Sequence, residues 1–307
     1  MDIFIQQIIN GLVLGSIYAL VALGYTMVYG IMGLINFAHG EVVMIGAMVA
    51  LTVINLLLGS GLPGVVMALI GLAAAVPVCM ATGFAIERIA YRPLRNAPKL
   101  APLITAIGVS IVLQNVAMLV WGRNYHAFPP ILPSVDFEVF EATITGVQVA
   151  IIAIAALMMI GLTLLVQRTR LGRAMRATAE NPSIAQLMGV DTNRIISLTF
   201  VIGSSLAAVA GFMVSANYSI AHYYMGFILG LKAFTAAVLG GIGNLAGAML
   251  GGILLGLIES LGAGYIGDLT GGFLGSHYQD VFAFFVLILV LVFRPSGLVG
   301  EKVAERA

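Results

Sequence analysis

The sequence predicts an all-α polytopic membrane protein, and three observations carry that prediction. Of 307 residues, 61% are hydrophobic and only 9% charged, whereas soluble domains carry about 25% charged residues. Mean hydropathy is +1.08, too apolar for a surface that must face water on all sides. Apolar runs of about 20 residues, the length that crosses a bilayer as a helix, recur along the whole chain.

The spans are taken in order. The first is 8–29. The segment before it lacks the basic stretch of a cleavable leader, so this span is expected to stay in the protein. Asn36, His39 and Glu41 then break the apolar pattern before a second span at 42–59. A Gly-Pro-rich turn at 59–64 leads to the third, 65–86. The fourth is 101–121, the fifth 147–166 and the sixth 195–216, the last with Asp191 placed to cap its helix. The Gly-rich region 217–261 divides into 226–240 and 245–261. A Gly-rich loop at 262–279 precedes the last span, 280–293. That makes about nine spans, with eight or ten also compatible, in a single transmembrane domain over 1–307.

Charge orients them. Lys and Arg collect at 87–100 (Arg88, Arg92, Arg95, Lys99), at 168–194 and after Arg294, so these loops are expected in the cytoplasm. The loop 122–146 sets Asp136, Glu138 and Glu141 against one Arg123, and 262–279 holds Asp268; both are expected outside. The N-terminus is then outside and the C-terminus inside. Spans one to four and six to nine would run in opposite senses, each with a break after its first span, one containing Ala38-His39 and the other Ala221-His222. This predicts an inverted repeat.

The stretch 168–194 departs from everything around it. It holds five of the chain's 14 Lys+Arg and a short helix with both ends marked. Asn181 suits the N-cap and Pro182 the first helical position. Gly189 suits the left-handed closing residue. Ile184, Leu187 and Met188 recur at i, i+3, i+4 and share one face. A capped helix with an apolar face in a basic cytoplasmic loop is expected to touch another protein. Arg168, Arg170, Arg173 and Arg176 are expected at the headgroups.

Several function classes fall away. A net charge of +1 argues against a nucleic-acid partner. Cys79 stands alone, so there is no internal disulfide and no cysteine metal site; in its apolar run it is expected to pack. His39, His126, His222 and His277 have no ligand or nucleophile–base spacing, so neither an enzyme nor a metal protein is predicted. Gly241-Ile-Gly243-Asn-Leu-Ala246 matches a dinucleotide pattern, but no βαβ unit surrounds it. None of Lys99, Lys232 and Lys302 follows a glycine, so no Walker loop exists, the chain binds no cofactor of its own, and any ATP must be used by partner subunits. The glycines inside spans, such as the Gly247/Gly251 and Gly252/Gly256 pairs, are expected to let helices pack closely.

Polar groups inside apolar segments are costly unless paired or facing a cavity. Asn36, His39 and Glu41 fit either a cap network at a broken helix or a translocation path. Lys232 and Thr235 are further path candidates, and Glu259 is expected to reach headgroups or cap a helix at a span end.

The blocks at 25–41 (YTMVYGIMGLINFAHGE), 86–95 (IERIAYRPLR), 172–189 (GRAMRATAENPSIAQLMG) and 232–243 (KAFTAAVLGGIG) together resemble the LivH-type permeases of bacterial branched-chain amino-acid ABC importers. The resemblance covers essentially the whole chain. It implies a multi-pass protein of the inner membrane, a second, LivM-like permease subunit, two ABC ATPase subunits that use ATP, and a periplasmic binding protein. It also implies that 168–194 is the ATPase-coupling loop, with Asn181, Pro182, Ile184, Ala185, Leu187, Met188 and Gly189 as its coupling residues. Importer permeases carry an E-A-A-x-x-x-G signature there; this chain has Ser183, Ile184, Ala185 and Gly189, keeping one Ala and the Gly and lacking the Glu. Permeases with similar blocks carry urea and short amides, which is the alternative substrate class. An ion-coupled carrier working alone is the alternative mechanism.

Overall fold

A computed structural model describes residues 2–95, 97–98, 100–133, 135–139, 142–271 and 278–300. Lys99, Glu141, His277 and Lys302 lie outside the described residues. The helices are α1 (Asp2–Met32), α2 (His39–Leu57), α3 (Gly64–Ala85), α4 (Leu100–Trp121), α5 (Gly146–Arg168), α6 (Arg170–Glu180), α7 (Pro182–Leu187), α8 (Thr192–Tyr218), α9 (Met225–Gly240), α10 (Leu245–Leu269) and α11 (Gln279–Phe293). Seven helices among the described residues are long and apolar enough to cross a membrane, and two shorter apolar ones are α9 and the 283–293 part of α11.

Three expectations need correction. The segment 262–269 is the end of α10 and not a loop. Glycine weakens a helix chiefly by exposing backbone and adding freedom to the unfolded chain; here Gly264 lies against the Gln7 side chain of α1, so packing holds the helix. The chain also has short strands. β1 (His126–Ala127) pairs antiparallel with β4 (Ile220–Ala221), and β2 (Asp136–Val139) forms a hairpin with β3 (Ala142–Thr145). They give the backbone of the 122–146 loop internal partners. Lastly, α3 does not stop at its end but runs on through a π-helical turn, Ile86–Tyr91, into a 3-10 turn, Arg92–Leu94.

The core is built from α1, α2, α8, α9 and α10. α1 packs on α8, α9 and α10, and α8 packs on α1, α2 and α3. α1 and α10 run antiparallel in close contact: a Cβ on Gly15 would stand 2.7 Å from Ile253 Cα, and one on Gly11 2.8 Å from Leu257 Cα. Apolar burial drives no association between helices in lipid, so such backbone contact carries it. Gly15→Val is expected to force α1 and α10 apart and to lower the detergent-solubilised midpoint of unfolding, an overpacking cost of about 1–3 kcal/mol; an unchanged midpoint would contradict this packing.

The first turn of α2 lies beside the middle of its neighbours. Cys79 Sγ, part-way along α3, donates to the Val42 carbonyl at 3.4 Å, and Ser110 and Gln114 of α4 reach Glu41. α2 therefore starts inside the bundle, fed by the non-helical segment 33–38. α9 starts there too, after the break at 219–224: a Cβ on Gly40 would meet Gly226, and one on Gly226 would meet Gly40. Two helix N-termini face one another at this crossing. Ala38-His39 opens α2, whereas Ala221-His222 lies three residues ahead of α9.

Candidate functional site

The loop between α5 and α8 folds as two helices. Thr169 caps α6, its hydroxyl accepting from Gly172 N at 3.0 Å. Gly172, Met175 and Thr178 form the buried face of α6, and Arg168, Arg170, Arg173 and Arg176 are exposed. Arg176 also donates to the Val166 carbonyl, which ties α6 to the end of α5. Asn181 ends α6 and caps α7, its Oδ1 accepting from Ser183 N at 3.1 Å and Ile184 N at 3.0 Å. Pro182 takes the first helical position as expected. At the other end Gly189 sits at φ 85°, and Val190 N reaches the Ala185 carbonyl at 3.0 Å while Gly189 N reaches that of Gln186 at 2.9 Å. These two bonds form a Schellman closure. Asp191 Oδ1 then caps α8 through Arg194 N at 3.1 Å.

The capped helix presents the face that the spacing predicts. Ile184, Leu187 and Met188 are 57%, 86% and 80% exposed, while Ala185 is 3% exposed and turned inward. Three large apolar side chains exposed together on a short capped helix form a surface suited to a partner's groove. Gln186 joins this helix to α8 through a 2.6 Å bond to Thr192 Oγ1.

At the α1–α2 break the residues do separate jobs. Asn36 Oδ1 accepts from Ala38 N at 3.2 Å and from the Tyr91 hydroxyl at 3.1 Å, and the Asn36 carbonyl accepts from His39 N. These bonds hold the bend that precedes α2, whose own N-cap, Ala38, has no side-chain cap bond. His39 is buried edge-on to Tyr25, with ring centroids 5.0 Å apart, and fills the space over Gly24. Glu41 is fully buried; its Oε1 accepts from Gln114 at 2.7 Å and Ser110 at 3.0 Å. Its Oε2 lies beside Gly226 without a hydrogen-bond partner. A carboxylate in the first turn of α2 and beside the start of α9 sits where both helix dipoles favour negative charge.

Lys232 belongs to a different cluster. Its Nζ lies 2.6 Å from Glu259 Oε1 and 2.7 Å from Asp280 Oδ1, and the Tyr18 hydroxyl donates to Glu259 Oε2 at 3.0 Å. Glu259 is therefore a buried ion-pair partner and not a headgroup residue: it lies on the face of α10 that meets α9 and α1. Thr235 is buried and returns its hydroxyl to the Leu231 carbonyl of its own helix at 2.9 Å.

A third cluster has no counterpart in the sequence reading. Glu87, in the π-helical turn, is fully buried. Its Oε1 accepts from Arg92 Nε at 3.3 Å and from Arg95, and its Oε2 from Ser197 Oγ at 2.6 Å. Arg95 also donates to Asn193 Oδ1. Arg92 and Arg95 are thus ion-pair partners of a buried carboxylate. An α-helix keeps residues five apart on different faces; the π-turn brings Glu87 and Arg92 together.

A protein family described as the permease component of the branched-chain amino acid transport system matches residues 7–291. The chain belongs to that family. Similar members include a high-affinity branched-chain amino acid permease, BraD, of Pseudomonas aeruginosa, 50% identical over 99% of this chain and 98% of its own. The LivH permease of Escherichia coli is 46% identical over 99% of this chain and 97% of its own. A probable LivH permease of Methanocaldococcus jannaschii is 29% identical over 97% and 94%. In branched-chain permeases of this length the chain is matched nearly end to end, so the capped helix α7, the break and both ion clusters all lie within the family's own segment.

Proposed function

We propose that this chain is one permease subunit of an ATP-driven importer of branched-chain amino acids, coupled to its ATPases through α7. The carrying observation is the capped helix 182–187 with Ile184, Leu187 and Met188 bare, in a loop that also holds four exposed arginines. It is rigid at both ends and unsatisfied on one face. An ATPase groove lined by apolar residues and rimmed by acidic ones would complete it.

The arrangement of the ends supports a cytoplasmic position for this loop. Arg95 meets Asn193, and Leu298 N bonds to the Leu239 carbonyl, so 86–95, the α6–α7 loop and the 294–300 segment share one end of the bundle. The other end gathers the residues around Gln6, Thr143, Phe128 and Ser219, with Arg123 nearby through His222. Basic residues crowd the first end, so by the positive-inside rule it faces the cytoplasm, the N-terminus lies outside and nine spans fit the chain. The inverted repeat has support in packing: α2 with α3 corresponds to α9 with α10, α1 with α10 to α8 with α3, and α2 with α8 to α9 with α1. The break after α1 and the break after α8 then enter from opposite sides. α1–α4 and α8–α11 form the two halves, within one domain of the inner membrane.

Transport follows from that geometry. ATP closes the ATPase pair, α7 moves with it, and the halves rock about the glycine-lined contacts of α1, α8, α9 and α10. A LivM-like subunit completes the path and a periplasmic binding protein delivers the amino acid, so the permease wall need supply only a largely apolar route. Neither cofactor nor metal is assigned to this chain.

The test is uptake into proteoliposomes holding this chain, its partner permease, the ATPases and the binding protein. ATP-dependent accumulation of leucine, competed by isoleucine and valine and not by urea or acetamide, is expected. Competition by the amides would move the substrate class, and accumulation without the ATPases would favour the ion-coupled carrier.

A further inference from the structure

We propose that the π-helical turn is a relay, with Glu87 and Tyr91 as positioning residues that connect the docking helix to the break from which α2 starts. The inference rests on the coupling role given to α7 above and extends it to residues outside the loop.

The contacts form an unbroken series. Gln186 of α7 bonds to Thr192, the first residue of α8, at 2.6 Å. One residue on, Asn193 accepts from Arg95, and one turn on, Ser197 donates to Glu87 at 2.6 Å and accepts from Arg92 at 3.1 Å. Glu87 gathers both arginines on a fully buried carboxylate. Four residues along the same turn, the Tyr91 hydroxyl bonds to Asn36 Oδ1 at 3.1 Å and lies 3.3 Å from the Ile35 carbonyl. Asn36 in turn holds Ala38 N and His39 N, which set the first turn of α2 and so the position of Glu41. Each link joins a different element, and the set runs from the cytoplasmic loop to the crossing of α2 and α9.

The chemistry of the links suits transmission better than mere anchoring. A buried carboxylate held by two guanidinium groups and a hydroxyl has geometric preferences that apolar packing lacks. α8 cannot shift relative to the turn without breaking a charge-assisted bond at Glu87. The turn itself is a π-helical insertion, and such insertions concentrate at functional sites because they place side chains where an α-helix does not. Coupling between distant sites needs a contiguous, two-position element, and spatial sequence alone does not establish it. The test therefore has to separate coupling from stability.

Tyr91→Phe removes one hydroxyl and leaves the ring, which packs 5.4 Å from Phe200. In the reconstituted importer this variant is expected to keep ATP hydrolysis and complex assembly while leucine uptake falls about tenfold, the rate effect of losing one well-placed bond. The ATP consumed per leucine imported rises accordingly. Glu87→Gln should do the same, and the double variant should be no worse than the more severe single, because the two act in one series. If Glu87→Gln fails to assemble, Tyr91→Phe alone decides. An unchanged ATP-to-leucine ratio in Tyr91→Phe overturns the relay, as does parallel loss of hydrolysis and uptake. A failure of the underlying coupling role would show elsewhere, in normal uptake by variants of the α7 face.

Discussion

Leu187→Asp combined with Met188→Asp is expected to abolish ATP-driven uptake and release the ATPases from the permease, with the permease itself inserted and folded. The two side chains are 86% and 80% exposed, so replacing them removes no internal contact and surface substitutions of this kind shift stability within about 0.5 kcal/mol. In a partner's groove the same carboxylates would be desolvated without a cation, and each would cost several kcal/mol. Assembly should fall by roughly 100-fold or more, measured as ATPase retained on affinity-purified permease. Ala185→Asp and Gly189→Trp also abolish uptake, for a different reason. Ala185 is enclosed and Gly189 holds a positive φ, so those variants unmake the loop. Retention of the ATPases by the double aspartate variant would refute the docking face.

Lys232→Met is expected to destabilise the protein more than any other substitution in the described charge clusters. It strands Glu259, buried and bonded only to Tyr18 thereafter, and breaking a buried pair costs about 3–5 kcal/mol. The unfolding midpoint in detergent should drop sharply. Adding Glu259→Gln should restore much of it, because the neutral amide needs no counter-charge. Asp280, whose side chain is 42% exposed against 2% for Glu259, is far less enclosed, and Asp280→Asn should have a smaller effect. A double variant as unstable as Lys232→Met would show that the lysine serves the fold by packing and not by charge.

What the sequence makes legible follows the physics of lipid. Spans announce themselves because a bilayer demands about 20 apolar residues at a time; among the described residues seven of the expected segments coincide with helices long and apolar enough to cross, and 226–240 and 280–293 coincide with the shorter α9 and α11. The ends of α7 are legible because Asn181, Pro182 and Gly189 each satisfy a local requirement of the backbone. The break before α2 is legible from Asn36, His39 and Glu41, although only the structure separates their jobs. The missed features depend on neighbours distant in sequence. α6 hides because its buried face is only Gly172, Met175 and Thr178 among three arginines. Lys232 and Glu259 are 27 residues apart on two helices, and no local signal joins them. Glu87 and Arg92 are five apart, a spacing that means nothing on an α-helix and becomes a contact only through the π-turn. The short strands escape because two- and four-residue ribbons carry no periodicity.

The central claim is that the ATPases hold this permease at the bare face of α7. Cys79 is the single native cysteine and is buried, so a Cys79→Ala background allows one new thiol at a time. The direct measurement is cross-linking from Leu187→Cys and Met188→Cys in the assembled importer, with Leu119→Cys, 81% exposed on α4, as the control. Adducts between the permease and an ATPase subunit at 187 and 188, absent at 119 and changed in yield by ATP, are the predicted result. Strong assembly with no adduct at either position of α7 would contradict the account.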